Sequence, residues 1–244
     1  MVDDTIPRRR FLLGAGLAGT AVATGLAPEL STSAQAEAPA TPAAVSTLTS
    51  PSESEPLLTL TATEAAFVTA AVDTIIPADE LSPAGSDCGI VTFIDRQLAS
   101  DWGGGARMYR SGPFHKGKPE QGYQLALTPR QFFQTGVAEA NAWSHKTYGR
   151  EFDRLSQLDR IAALKAMEEG RAGFASLGAR TFFNALLSIT MEGFFSDPAY
   201  GGNRNAVSWK MLGFPGLPAT YANKFEEYRH KRYVAPPRSM ADFS

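Results

Sequence analysis

Residues 179–195 read ARTFFNALLSITMEGFF, a stretch in which a helix would carry large apolar side chains on nearly every side. These positions are Phe182, Phe183, Leu186, Leu187, Ile189, Met191, Phe194 and Phe195. A helix that is apolar all round lies either at the centre of a helical domain or under a partner protein. We therefore expect this helix to be the central one of its domain or one that a partner covers.

Capping residues mark two longer helices earlier in the chain. Thr61-x-x-Glu64 is a capping box, and it opens an apolar face that Pro77 ends. Thr128-Pro129 supplies an N-cap followed by proline at the first helical position, and the apolar pattern then runs to Tyr148, with Gly149 as the stop. Both segments are predicted to be helices that pack one face on the core.

Three weaker helical patterns complete the survey. A short helix is predicted from Ile90 to Leu98, and another after Ser156 that ends at Gly170. The second of these carries one apolar stripe, formed by Leu158, Ile161, Leu164 and Met167. Residues 221–233 indicate an exposed amphipathic helix.

The connections between these helices contain glycine and proline and lack alternating strand patterns. Gly103-Gly104-Gly105 indicates a flexible turn, and residues 109–122 a long surface loop. No repeat period is visible. The fold class predicted is all-α: a single irregular helical domain over residues 57–233 with long loops and extended N- and C-terminal arms, the C-terminal arm being residues 234–244.

The first residues have the layout of a twin-arginine export signal. Arg8 and Arg9 precede Phe11 and Leu12, and an uncharged run rich in glycine, alanine and threonine follows. We expect residues 1–36 to be this signal, cleaved after Ala36, and residues 37–56 to be a linker or arm rich in alanine, proline, serine and threonine. A short transmembrane helix is the alternative, but the run is short and interrupted by glycine.

Composition and motifs exclude several classes of function. The formal net charge of −2 at pH 7 gives no face for nucleic acid, and the single cysteine, Cys88, cannot form an internal disulfide. The three histidines are scattered, so no zinc or haem site is expected. No dinucleotide, phosphate-loop or serine-nucleophile motif is present. Asp73 and Glu192 lie in apolar stretches, where we expect each to pair structurally with an arginine.

One dense loop follows the apolar helix. Its distinctive residues are Phe195, Asp197, Pro198, Tyr200, Gly201, Gly202, Asn203 and Trp209. The carboxylate of Asp197 is suited to an Asx turn, the glycines to positive φ or close approach, and the two aromatic rings to flat apolar contacts. Such a loop either closes the helix onto the core or is shaped for a partner. A cation site using Asp197, Asn203 and carbonyl oxygens is a less favoured interpretation.

The chain resembles the family of the small third subunit of membrane-bound gluconate 2-dehydrogenase and related sugar or polyol dehydrogenases. The matching segments lie between Leu57 and Pro218. They are residues 73–77 with Ala84-Gly85, residues 93–95, residues 121–125, the Tyr148-Gly149-x-x-Phe152 turn, and above all residues 195–203 with Trp209.

This resemblance implies a non-catalytic subunit without a cofactor of its own. Its expected partners are a catalytic large subunit that carries FAD, a membrane-anchored cytochrome c subunit with haem c, and the twin-arginine translocase. The chain would then lie in the periplasm, on the outer face of the cytoplasmic membrane. It would escort the large subunit during export, and no catalytic residue would be expected in it.

Two other hypotheses remain open from the residues alone. One is a self-contained exported enzyme or small-ligand-binding protein, with a site made by Asp197, Tyr200, Asn203 and Trp209 together with Tyr123 or His115. The other is a chaperone that releases its client after export.

Overall fold

The computed structural model describes residues 56–115, 117–118, 121–218 and 220–243. Within these ranges it contains six α-helices and no β-strand. The helices are α1 (Ala62–Ile75), α2 (Ile90–Ala99), α3 (Pro129–Tyr148), α4 (Gln157–Glu168), α5 (Ala179–Phe195) and α6 (Val207–Leu212). The all-α prediction is confirmed. The predicted export signal and the arm before Pro56 lie outside the described residues.

Helix α5 is the centre of the described domain. It packs against α1, α2, α3, α4 and α6. The ring of Phe182 is fully buried and contacts four other phenylalanine rings, those of Phe67, Phe132, Phe133 and Phe174. Burial of such rings stabilises by about 2 to 3 kcal/mol each. The apolar stretch at residues 179–195 is thus chiefly the central helix rather than a helix kept for a partner.

The predicted helix starts are confirmed in atomic detail. The Thr61 hydroxyl accepts from the Glu64 amide, and the Glu64 carboxylate accepts from the Thr61 amide. Helix α3 begins with the same reciprocal pair between Thr128 and Gln131, and Gly149 closes it at φ 75°. Each box satisfies amides that have no partner within the helix.

Charged side chains close several of the remaining helix ends. Arg130 donates from Nε and Nη2 to the carbonyls of Leu98 and Ala99 at the end of α2. Arg180 does the same for Glu168 and Glu169 at the end of α4. A cation at a helix C-terminus also opposes the partial negative charge there. These arginines join successive helices as well as capping them.

Two helical predictions need correction. In α4 the expected stripe is wrong at its first member, since Leu158 is 70% exposed. The buried residues of this helix all come later, at Ala163, Leu164, Ala166 and Met167. Its first turn therefore extends past the core, and only the second half of α4 lies on it.

The predicted amphipathic helix at 221–233 does not form. The segment holds one short 3₁₀ turn, Ala222–Lys224, and His230 has φ 60°. Tyr233 packs edge-on against both Tyr221 and Tyr228. Residues twelve apart would lie about 18 Å from one another in a straight helix, so the tyrosine cluster is incompatible with one.

The long loop prediction at 109–122 is confirmed for its described residues, which contain no α-helix or strand. Nearby, Tyr123 stacks on Phe132 with ring centroids 4.1 Å apart. The Gly103-Gly104-Gly105 turn is packed rather than open, because a Cβ on Gly103 would lie 2.0 Å from the Leu98 carbonyl oxygen. No helix among the described residues is long and apolar enough to cross a membrane.

Gly136 of α3 provides a test of the packing around Phe182. A Cβ at this position would lie 2.1 Å from the Phe182 ring, which its four phenylalanine neighbours hold in place. We expect Gly136→Ala to lower the free energy of unfolding by about 1 to 3 kcal/mol. Helix propensity alone would give the opposite sign, a gain of about 1 kcal/mol. Chemical denaturation measures the change in the free energy of unfolding, and the substitution Ala138→Ser at an exposed position of the same helix is the control. Stabilisation by Gly136→Ala would contradict the packing.

Candidate functional site

The predicted loop runs from the end of α5, across the start of α2, to α6. It contains two short 3₁₀ turns, Pro198–Tyr200 and Arg204–Ala206. The amide of Arg204 donates to the Cys88 carbonyl at 2.9 Å, one residue before the Gly89 N-cap of α2. The loop therefore fastens the ends of three helices to one another.

Asn203 is the buried centre of this loop. Its side chain has no exposed surface, and its backbone is left-handed at φ 43°. Nδ2 donates to the Ser196 carbonyl at 2.9 Å, while Oδ1 accepts from the Ser208 amide at 2.9 Å and the Ser208 hydroxyl at 2.8 Å. One side-chain amide thus joins the C-terminal end of α5 to the first turn of α6.

Gly201 and Gly202 are required by close approach. A Cβ on Gly202 would lie 2.2 Å from the Gly193 carbonyl oxygen. Gly201 has φ 95°, and its Cβ would lie 2.8 Å from the guanidinium of Arg96. The backbone contact excludes a side chain at Gly202, while at Gly201 the positive φ disfavours one. The glycines let the loop backbone lie directly on α5 and α2.

Trp209 holds α6 against the end of α5. The indole is buried and donates from Nε1 to the Phe195 carbonyl at 3.0 Å. Its ring packs edge-on against the Phe214 ring, with the ring centroids 5.1 Å apart. A buried indole that satisfies its single donor in this way is a structural anchor.

Asp197 ties the loop to the C-terminal segment. Its carboxylate accepts from the Ala199 amide at 2.9 Å, the Ser239 hydroxyl at 2.5 Å and the Met240 amide at 3.0 Å. Partial burial opposes ionisation, but these three hydrogen bonds outweigh it, and the pKa of Asp197 is lowered. Residues 234–243, predicted as an arm, therefore fold back onto the loop at this point.

The geometry does not favour a cation at this loop. The oxygens of Asp197 and the Oδ1 of Asn203 already accept from amide and hydroxyl donors. Across the described ranges, no group of three histidine, cysteine, aspartate or glutamate side chains could hold a metal ion. The less favoured cation site is thus not supported by the arrangement of these donors.

The two isolated acids also differ from expectation. Asp73 accepts from the amide and hydroxyl of Ser86, at 2.8 and 3.0 Å, instead of pairing with an arginine. Glu192 is exposed on α5 and has no arginine partner among the described residues, although partial burial raises the pKa of its carboxyl.

Sequence reasoning gave no role to a further carboxylate, that of Asp95. It is buried and accepts from the amides of Leu58, Thr59 and Leu60, at 2.6 to 3.0 Å. Three consecutive amides around one carboxylate fix the chain just before α1. Asp95 lies on the apolar face of α2. An acid at such a position is the sequence signal that could have indicated its structural role.

A cleft of about 230 Å³ opens beside Asp95. It is lined by Pro56, Leu57, Leu58, Thr92, Asp95 and Arg96. The lining does not include Asp197, Tyr200, Asn203 or Trp209, and Tyr123 lies instead on Phe132 of α3. His115 lies exposed in the long loop. The structure therefore does not assemble the pocket that a self-contained enzyme would need from these residues.

Around the loop, several large apolar side chains are exposed. We call this set the apolar surface, and define it as Phe195, Tyr200, Leu212, Phe214, Met240 and Phe243. Their exposed fractions run from 37% for Phe195 to 60% for Leu212. The side chains of Asn203 and Asp197 thus bond within the chain, while large apolar side chains are exposed beside them and Asn205 is the exposed polar residue of the loop.

The role assigned to Asn203 can be tested against a neighbour with the same backbone conformation. Asn203 and Asn205 are both left-handed, but Asn205 is exposed and has no side-chain hydrogen bond to the described residues. Glycine tolerates this conformation at both positions. We expect Asn203→Gly to lower the free energy of unfolding by about 2 to 4 kcal/mol, since three hydrogen bonds are lost, and Asn205→Gly to change it by less than about 0.5. Equal effects in denaturant titrations would contradict the account.

The lowered pKa of Asp197 predicts an acid-sensitive C-terminus. A carboxylate with a lowered pKa stabilises the docked segment above its unfolded pKa, and this stability is lost as the pH falls through the folded value. Protection of the Met240 amide from hydrogen exchange, relative to its intrinsic rate, should hold at neutral pH and fall below about pH 4. Asp197→Asn should weaken that protection already at pH 7. The same protection in both proteins at pH 7 would argue against this contact.

Comparison with known proteins identifies the family of this chain. The family model for gluconate 2-dehydrogenase subunit 3 matches residues 62–216, which include all six helices and the whole loop. No curated protein and no solved structure matched the chain. The match covers well over half of the sequence and agrees with the resemblance carried by residues 195–203. The chain therefore belongs to the gluconate 2-dehydrogenase subunit 3 family, and is a subunit of a dehydrogenase complex.

Proposed function

We propose that this chain is the non-catalytic small subunit of a flavoprotein dehydrogenase complex that faces the periplasm. The complex would oxidise a sugar, a sugar acid or a polyol. The catalytic large subunit would carry FAD, and a membrane-anchored cytochrome c subunit with haem c would pass electrons onward. In this proposal the small subunit binds no cofactor itself and acts by stabilising and exporting the large subunit.

One observation carries the proposal: the loop that is most specific to the family uses its polar groups inside the chain. Asn203, Trp209 and Asp197 all bond to backbone or hydroxyl groups of the same chain. A substrate site needs convergent polar groups that are free to bind a ligand. Large apolar side chains are instead exposed on and beside this loop, which suits contact with another protein.

The export role rests on the sequence at residues 8–12. A flavoprotein subunit has to fold around FAD where the cofactor is made, and a twin-arginine translocase carries proteins that are already folded. A large subunit bound to this chain could use the signal formed by Arg8, Arg9, Phe11 and Leu12. The small subunit would then both stabilise the large subunit and provide its export signal.

The competing hypothesis of a self-contained enzyme requires a site with unused catalytic groups. The loop residues proposed for that site do not line the cleft of about 230 Å³, which lies instead at the start of the domain. The third hypothesis, a chaperone that releases its client, predicts a transient complex. The self-contained enzyme would purify alone, and the chaperone would be lost from its client during purification. A permanent subunit would instead stay bound.

The proposal is tested by purifying the chain with a C-terminal affinity tag from its native host. We expect a larger protein at one-to-one stoichiometry with flavin absorption, recovered from the periplasmic or membrane fraction. The double variant Arg8→Lys, Arg9→Lys should leave both proteins in the cytoplasm, still bound to each other. Recovery of the chain alone, stable and monodisperse, from cells that make it would contradict the proposal, as would an unbound large subunit exported normally with the variant.

A further inference from the structure

The six residues of the apolar surface come from three segments that bond to one another. Trp209, one turn before Leu212, donates to the Phe195 carbonyl and packs on the Phe214 ring. The 3₁₀ turn Pro198–Tyr200 packs against the 3₁₀ turn Met240–Phe243. The segments that carry these six residues are therefore joined to the loop by direct contacts.

The C-terminal segment is held in place by specific contacts. Gly216 pairs with Arg238, and the Leu217 amide donates to the Arg238 carbonyl at 2.9 Å. The guanidinium of Arg238 lies 4.1 Å from the centroid of the Phe243 ring. Together with the bonds from Ser239 and Met240 to Asp197, these contacts present Met240 and Phe243 beside the loop.

The apolar surface lies at the upper end of what a monomer usually leaves exposed. Six side chains of roughly 200 Å² each, about half exposed, leave on the order of 600 Å² in contact with water. The largest patch on a typical monomer is about 300 to 600 Å², and each partner of a stable complex contributes about 800 Å². The patch alone is thus somewhat smaller than one side of a standard interface, and a polar border around it would have to supply the remaining area.

Positive charge borders the patch. Lys210, Arg232 and Arg238 are exposed, and a Cβ on Gly213 would lie 3.2 Å from the guanidinium of Arg232. Asp197 and Asp242 turn their carboxylates to backbone amides of residues 199, 239 and 240, whereas Glu192, three residues before Phe195 on α5, is exposed. A second copy packed on the same patch by two-fold symmetry would bring these cations together, which disfavours it. An apolar face with an acidic border would complement the surface.

We propose that the apolar surface is the docking face for the catalytic large subunit, which would meet it with an apolar patch bordered by acidic residues. This inference rests on the proposed function and adds the place of contact. The loop acts as the base of this face, because it fixes α6 and the C-terminal segment relative to α5. The family-specific residues therefore act in assembly through the exposed side chains that they position.

The test compares charged substitutions on and off the surface. Leu212→Glu and Phe243→Glu place a carboxylate in the proposed interface, and Leu158→Glu places one on α4, where the leucine is 70% exposed and outside the surface. Each is co-produced with the large subunit, and the amount of flavin-bearing large subunit that co-purifies is measured. We expect at least a tenfold loss for the two surface variants and no change for Leu158→Glu. Thermal denaturation should show that all three fold alike.

The outcomes separate the two proposals. If the wild-type chain captures no flavin-bearing subunit, the proposed function fails, and this inference with it. If the wild type captures it and the surface variants do so equally well, the function stands and the docking face is wrong. Self-association of the purified wild-type chain that Leu212→Glu abolishes would identify a second copy as the occupant and overturn the inference.

Discussion

The buried side-chain amide of Asn203 is the contact on which this end of the molecule depends. It joins the carbonyl of Ser196 to the amide and hydroxyl of Ser208, and so sets the angle between α5 and α6. Leaving any of these polar groups buried without a partner would cost about 1 to 3 kcal/mol. Asparagine is also one of the few residues that adopts a left-handed backbone readily. The position combines both demands, and few other residues meet them.

The consequences of that contact extend outward in steps. Fixing α6 places Trp209 over the end of α5, and Trp209 in turn lies against Gly216, where a Cβ would be 2.6 Å from the indole. The bridge between Gly216 and Arg238 brings the C-terminal segment back to the loop. There the Asp197 carboxylate accepts hydrogen bonds from Ser239 and Met240. These internal contacts thus position the exposed side chains of the apolar surface. In a subunit of a dehydrogenase complex, such a surface is suited to assembly.

Much of the fold was predictable because its signals are local. The capping boxes at Thr61 and Thr128 and the apolar residues 179–195 each determine a helix from residues within a few positions. The predicted burial of Leu158 and the predicted helix at 221–233 are wrong, since exposure in a first helical turn and contacts between tyrosines twelve residues apart depend on tertiary packing. The composition of the loop marks it as unusual, but the internal bonds of its side chains depend on long-range contacts such as that of Asp197 with Ser239, which local signals do not give.

The central claim is that the loop builds a docking face and not a ligand site. The most direct measurement is hydrogen exchange across the whole chain, free and in its purified complex. The account predicts that amides in residues 211–214 and 239–243 gain protection on assembly, while those of α4 near Leu158 do not. Unchanged exchange in both segments, with new protection confined to another part of the domain, would show that the partner binds elsewhere and would contradict the account.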